Sequence, residues 1–200
     1  MSKLLVATRN AGKLEEIKEL LSGLSAEIVI PAQLNLDLAI EESGGTYAEN
    51  AALKATAYAR ASGLISLADD SGLEVDALGG QPGLHSARFA PWPGASDADR
   101  RKLLLSKLQA MPRPWKARFR CVVAIASPVG QVRFAQGVCQ GEIIPEERGV
   151  KGFGYDPVFF IPELGKTMAE LDMAEKNALS HRGRAVKAAC PILDQMLKNL

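Results

Sequence analysis

The sequence predicts an α/β fold built on a mixed sheet. Three observations carry this. A short apolar strand run, Leu4-Leu5-Val6, feeds directly into a helical repeat; an Ala-rich capped helix leads into a second strand run; and two long β-rich runs meet across Ser127-Pro128-Val129-Gly130, a hairpin signal. A hairpin is antiparallel, so the sheet cannot be purely parallel.

The elements follow in order. Lys3 to Ala7 reads as a buried strand, and Leu14, Ile17, Leu20, Leu21 and Leu24 then recur at helical spacing, with Gly23 suited to the helix end. Glu27 to Ile30 is a short strand stopped by Pro31. Thr46 and Glu49 form a capping box, and the helix behind them should run to Gly63. Ile65 to Ala68 reads as a strand running into Asp69-Asp70-Ser71-Gly72, and Leu73, Val75 and Ala77 alternate as another. Residues 79–94 are rich in Gly and Pro and read as a long loop. Ser96 to Asp99 starts a helix that buries Leu103, Leu104 and Leu108. Arg118 to Ala126 and Val132 to Cys139 are the hairpin strands, and Val158 to Ile161 is one more. The last helix begins near Ser180, with Val186, Ala189, Leu193, Met196 and Leu197 on one stripe and a kink or break expected at Pro191.

Two hundred residues suit one domain, 1–200, with room for two lobes. A 47% hydrophobic and 24% charged composition is that of a folded globular chain. Lys and Arg total 24 against 23 Asp and Glu, so no global field selects nucleic acid or an anionic membrane. The apolar run at the start is too short for a signal-peptide core or a bilayer span. Cys121, Cys139 and Cys190 are widely spaced without a CxxC pair, which fits a reducing cytoplasm better than a disulfide framework or a zinc site.

Four residue groups carry chemistry. Thr8-Arg9-Asn10-Ala11-Gly12-Lys13 joins a strand to a helix start, where unpaired N–H groups and the dipole favour an anion; the same residues suit an ordinary capped turn equally well. Asp69-Asp70-Ser71-Gly72 places adjacent carboxylates at a strand end, on opposite faces, and such rigid carboxylates hold magnesium well. Asp, Ser and Gly are also common turn residues, so a plain turn stands at even odds. Glu41-Glu42 offers a further oxygen ligand. Gly152-Phe153-Gly154-Tyr155-Asp156 suits stacking on a flat ring, or simple packing. Ser180-His181-Arg182-Gly183, with Lys176 before it, makes a donor cluster for an anion or base edge. Gly165-Lys166-Thr167 is not a P-loop, because Phe160 occupies the first glycine position; Thr167 and Glu170 suit a capping box instead.

With these groups in hand, the chain closely resembles the inosine triphosphate pyrophosphatase family. The matching segments are LLVATRNAGKLEEIKELL from Leu4, EESGGTYAENAALKA from Glu41, ADDSGLEVDALGGQPGLHSARF from Ala68, GFGYDPVFF from Gly152 and EKNALSHRGRA from Glu175, in the family's order and over almost the whole chain. The resemblance implies an elongated two-lobed fold with a central mixed sheet flanked by helices, a nucleotide cleft between the lobes, and a homodimer. It implies hydrolysis of ITP, dITP and XTP, with Mg2+, between the α- and β-phosphates. Carried over, Thr8, Arg9, Asn10, Ala11, Gly12 and Lys13 hold phosphate with help from Lys54; Glu41 and Asp70 bind magnesium, and Asp70 accepts the proton of the attacking water. Ser71 contacts substrate, Phe153, Gly154, Tyr155 and Asp156 cradle the nucleoside, and Lys176, His181 and Arg182 surround the base. Arg9 departs from the family, which commonly has a smaller residue there. The rival classes are a pyrophosphatase of standard nucleotides or nucleotide sugars, and a non-catalytic nucleotide or RNA binder; the neutral charge and lack of an aromatic–basic stripe oppose RNA.

Overall fold

Residues 2–198 are described by a computed structural model. The elements are β1 (Lys3–Val6), α1 (Ala11–Leu20), β2 (Glu27–Val29), α2 (Tyr47–Ser62), β3 (Ile65–Val75), α3 (Asp97–Leu108), β4 (Trp115–Ala126), β5 (Val132–Ile143), β6 (Phe159–Ile161), β7 (Lys166–Thr167), α4 (Met173–Leu179) and α5 (His181–Lys198). Among the described residues the strands form one sheet in the order β2-β1-β3-β4-β5-β6-β7. β1 runs parallel to β2 and β3, whereas β6 is antiparallel to both of its neighbours, β5 and β7. The expected mixed α/β architecture is therefore present.

The chain divides into two compact units. One holds residues up to Asp70, Cys121–Gly137 and those from His181 on; the other holds Ser71–Arg120 and Val138–Ser180. In the first unit, strand alternation sorts the core. Leu4, Val6, Ile65, Leu67, Cys121, Val123 and Ile125 pack with Ile17 of α1 and Val186, Ala189 and Leu193 of α5. Leu5, Ala7, Ala68, Ala124 and Ala126 pack with Ala51, Ala55, Tyr58 and Ala59 of α2. Both sheet faces are covered, which is why these strands read as continuous apolar runs. Gly137 of β5 lets α5 dock closely: a Cβ there would lie 2.2 Å from the His181 carbonyl oxygen. In the second unit, Leu73 and Val75 of β3, Leu104 and Leu108 of α3, and Trp115, Ala117 and Phe119 of β4 enclose Tyr155, Val158 and Phe159. The Phe119 and Phe159 rings lie 4.5 Å apart between centroids.

Several sequence expectations change. Asp69-Asp70-Ser71-Gly72 is no turn: β3 runs unbroken through it to Val75, and Ala77 falls in a short 3-10 helix. The acids are tolerated inside a strand because each finds a cationic partner, as shown below. The loop 79–94 carries its own 3-10 helix, Gly83–Arg88, pinned where the Leu73 N–H donates to Ser86 Oγ at 2.8 Å. The hairpin strands extend to Trp115 and Ile143. α1 stops at Leu20, before Leu24, and α4 and β7 had no clear periodic signal because both are short. α5 passes Pro191 without a break; its buried stripe of Val186, Ala189, Leu193 and Met196 anchors both sides of the proline. At the start of α2, Thr46 caps the Glu49 N–H, but the Glu49 carboxylate accepts from Gly45 N rather than closing the box on Thr46. The Thr167–Glu170 capping box is present as read. No helix among the described residues is long and apolar enough to cross a membrane.

Candidate active site

At the end of β1 the chain turns through Thr8 and Arg9 into α1. Asn10 caps the helix, its Oδ1 accepting from Lys13 N at 2.9 Å, while Thr8 Oγ1 accepts from Asn10 N at 3.2 Å. Both side chains thus accept inside the turn through their oxygens. The amides of Ala11 and Gly12 stand at the helix start, where no intrahelical acceptor reaches them, and the first turn has no acidic residue. Arg9 turns aside: its guanidinium bonds Asp37 and donates to the Leu38 carbonyl at 2.7 Å.

Strand alternation then separates the two acids of β3. Asp69 shares the face of Ile65 and Leu67, beneath α1 and α5. Lys13 Nζ lies 3.0 Å from its Oδ2, and Arg182 Nε and Nη2 donate to the same oxygen, each at 3.3 Å. Arg182 also bonds Glu16 of α1. Arg182, Glu16 and Asp69 are all at most 3% exposed, so this is a buried network tying α1, β3 and α5. Burial alone would raise the Asp69 pKa, but Lys13, Arg182 and Lys54 overcome it and hold the carboxyl well below the usual range. Burial and the Asp69 charge push the neighbouring Cys121 thiol far up, leaving it an inert thiol.

Asp70 takes the opposite face, towards α2. Asn50 Nδ2 donates to its Oδ2 at 3.2 Å, and Lys54 Nζ lies 3.6 Å from its Oδ1. Lys54 also donates to Glu42 Oε1 at 2.8 Å, and Asn50 Oδ1 accepts from Gly44 N at 2.8 Å, so α2 ties the acidic loop to Asp70. Burial, reinforced by the Glu42 charge, raises the Asp70 pKa despite Lys54. Burial would lower that of Lys54, but Asp69, Asp70 and Glu42 raise it, so the ammonium stays charged. Of the two loop acids, the structure brings Glu42 to Lys54; Glu41 is exposed and has no ion-pair partner among the described residues. No cluster of three or more His, Cys, Asp and Glu able to hold a metal occurs among the described residues.

In the second unit, Phe153, Gly154, Tyr155 and Asp156 form a tightly held turn, following Gly152. Asp156 Oδ2 accepts from Phe153 N at 3.0 Å and from Lys176 Nζ at 2.5 Å, in a pair whose side chains are each 5% exposed. Lys176 Nζ lies 4.9 Å from the Phe153 ring centroid. Gly152 has φ +73°, and a Cβ there would meet Asp156 Oδ2 at 2.1 Å, so both the turn and the carboxylate require glycine. The Tyr155 hydroxyl is buried and donates to the Ser86 carbonyl at 2.8 Å, and burial raises its pKa. Ser71 is half-buried on β3 directly after Asp70. His181 opens α5, buried, one residue before Arg182.

Of the residues read from sequence, the structure unites Lys13 with Arg182 through Asp69, Lys54 with Asp70, and Lys176 with Phe153 and Asp156. It does not bring Glu41 to Lys54, nor Arg9 to Lys13's partner. Sequence reasoning does not single out Glu16 or Asn50, and it reads Glu42 as an oxygen ligand rather than as the partner of Lys54. Asn50 and Lys54 stand one helical turn apart within an Ala-rich helix, and a polar residue on that buried stripe was the available signal.

The Ham1 family model matches residues 4–192. A dITP/XTP pyrophosphatase of Desulforamulus reducens is 49% identical over 195 residues, covering 97% of this chain and 96% of that protein. One from Geobacter sulfurreducens is 47% identical over 93% of this chain and 94% of that protein. Among solved structures, a HAM1 protein from Coxiella burnetii superposes with a TM-score of 0.88 at 40% identity, covering 98% of this chain and 100% of that one.

Proposed function

The chain belongs to the Ham1 family, and on that premise we propose that it hydrolyses non-standard purine nucleoside triphosphates, ITP, dITP and XTP, to the monophosphate and pyrophosphate, clearing them before incorporation into DNA or RNA. The observation that carries the proposal is the division of labour on β3. Asp69 is held ionised by Lys13 and Arg182, while Asp70 keeps a raised proton affinity beside Lys54.

The reaction requires a divalent metal, here magnesium. The residue chemistry suits it: the Asp70 and Glu42 carboxylates both face one cation, the Lys54 ammonium, and magnesium typically uses one or two carboxylates with waters and phosphate oxygens. Asp70 would hold it, with Glu41 as the second acid, and when bound it neutralises polyphosphate charge. The Ala11 and Gly12 amides and Lys13 bind phosphate oxygens, with Thr8 and Asn10 shaping the turn around them. An ammonium has three protons, so the bond to Asp69 aims Lys13 without exhausting it. Asp70 orients the attacking water and takes its proton as water adds across the α–β anhydride. Lys54 keeps the Asp70 carboxylate in place. No residue forms a covalent intermediate.

Phe153 to Asp156 and Lys176 are assigned to the nucleoside, and Ser71, His181 and Arg182 remain proposed substrate contacts. Base selectivity is proposed to rest on His181 and Arg182, which donate to the C6 oxygen of hypoxanthine and xanthine but meet the amino group of adenine as donor against donor, and on a second donor or a tight apolar wall at C2 that rejects the amino group of guanine. Arg9 is proposed to act at the edge of the phosphate turn. A homodimer in the cytoplasm is part of the same proposal, as is a single catalytic domain over 1–200. Release of IMP and pyrophosphate from ITP with magnesium tests it.

A further inference from the structure

Phe153 is carried between two glycines in the left-handed region, Gly152 at φ +73° and Gly154 at φ +62°. Glycine loses the most conformational freedom on ordering, so a ring placed between two of them stays put only if the flanking peptides are gripped. At Gly154 both are. Its N–H donates to Asp97 Oδ2 at 2.7 Å, and its carbonyl accepts from Arg101 Nη1 at 2.8 Å. Asp97 and Arg101 are one turn apart on α3 and share a face.

The grips are themselves held. Asp97 follows Ser96, whose capping box with Asp99 fixes the first turn of α3, and Asp97 also pairs with Arg100. Arg101 is 13% exposed and its Nε lies 2.9 Å from Glu147 Oε1. The rest of the turn has separate anchors in Tyr155–Ser86 and Asp156–Lys176. Phe153 itself is tied to Asp156, its N–H donating to Oδ2 and its carbonyl accepting from Asp156 N at 3.2 Å, so loosening Gly154 would remove the hold that α3 has on the Phe153 peptide without dismantling the turn.

We propose that Asp97 and Arg101 are positioning residues for nucleoside binding: from one face of α3 they lock the two peptides of Gly154 and so set the Phe153 ring. This rests on the reading of Phe153 to Asp156 as nucleoside contacts. Neither residue acts on the substrate directly. A pre-set ring avoids the entropy of ordering it during binding, so their loss shows in affinity for the nucleoside and not in the chemical step.

The test uses the full-length enzyme with magnesium and the variants Asp97→Ala, Arg101→Ala, Asp97→Asn, Arg101→Lys and Phe153→Ala. The readouts are kcat and KM for ITP, inhibition constants for IMP and for pyrophosphate, and thermal stability. Loss of one charge-assisted bond should raise the ITP KM and the IMP constant about 10-fold or more, with kcat and the pyrophosphate constant changed less than roughly three-fold. Asp97→Asn and Arg101→Lys, which keep an acceptor and a charged donor, should recover most of the loss, including where an alanine variant folds poorly. An unchanged IMP constant in the folded Asp97 and Arg101 variants, while Phe153→Ala weakens IMP, would overturn the positioning role alone. An IMP constant unmoved by Phe153→Ala would overturn the nucleoside reading of the turn and the positioning role with it. Equal losses for IMP and pyrophosphate would mark a general structural effect and contradict the proposal.

Discussion

Asp69 and Asp70 are consecutive on one strand yet belong to different electrostatic settings: Lys13 Nζ lies 3.0 Å from the first, and Lys54 Nζ lies 3.6 Å from the second. Strand alternation sends one under α1 and α5 and the other towards α2. The two acids should therefore fail differently.

Asp70→Asn should lower ITP turnover at least ~100-fold, by removing the proton acceptor and weakening the metal, while the unfolding midpoint stays close to the parent's. Asp69→Asn should instead destabilise the fold by roughly 3–5 kcal/mol, because it leaves Arg182 and Lys13 as imperfectly compensated buried charges. Denaturant melts and steady-state turnover on both variants check this. Full activity in Asp70→Asn, or an unshifted melt in Asp69→Asn, contradicts the division of labour.

Lys13→Ala should reduce the specificity constant roughly 10- to 100-fold, the scale of one charge-assisted hydrogen bond, and by the same factor for ITP, dITP and XTP. Phosphate is common to all three, so base preference should not move. A specificity constant equal to the parent's for every nucleotide would make Lys13 only a partner of Asp69.

The acidic loop offers a sharper choice. Glu42 is committed to Lys54, whereas Glu41 is exposed. Glu41→Gln should raise the magnesium concentration for half-maximal activity about 10-fold, the lower end expected when support around a metal is lost. Glu42→Gln should chiefly lower kcat through Lys54. If the magnesium requirement follows Glu42 and not Glu41, the ligand assignment moves by one residue.

Arg182→Ala removes a side chain 1% exposed that bonds Glu16 and Asp69. It should cost roughly 3–5 kcal/mol of stability. In protein that remains folded, ITP hydrolysis should fall further than ATP hydrolysis, narrowing their ratio. Equal losses for both nucleotides would leave Arg182 a purely structural member of the network.

Much of the fold was legible because its signals are local. Asn10 and Ser96 announce helix starts, Gly63 ends α2, and Ser127 to Gly130 closes a hairpin in which Ser127 N donates to Gln131 O at 2.9 Å. What was misread depends on distant partners. Asp69-Asp70-Ser71-Gly72 has turn composition, and only Lys13, Lys54 and Arg182, supplied by three helices, make it a strand. Pro191 signals a break that packing of its neighbours overrides. The same limit applies to the site. The residue types around the phosphate turn were readable, but Arg182 meets Asp69 from 113 positions away and Glu16 from 166, and no spacing rule connects them.

The most direct test of the account is a panel of ITP, dITP, XTP, GTP and ATP with magnesium, following monophosphate and pyrophosphate together. Equimolar monophosphate and pyrophosphate are expected from ITP, dITP and XTP, with ATP and GTP slower by ~100-fold or more, since mismatched base groups would stay buried and unpaired. Release of orthophosphate in place of pyrophosphate, or turnover of ATP and GTP equal to that of ITP, would contradict it.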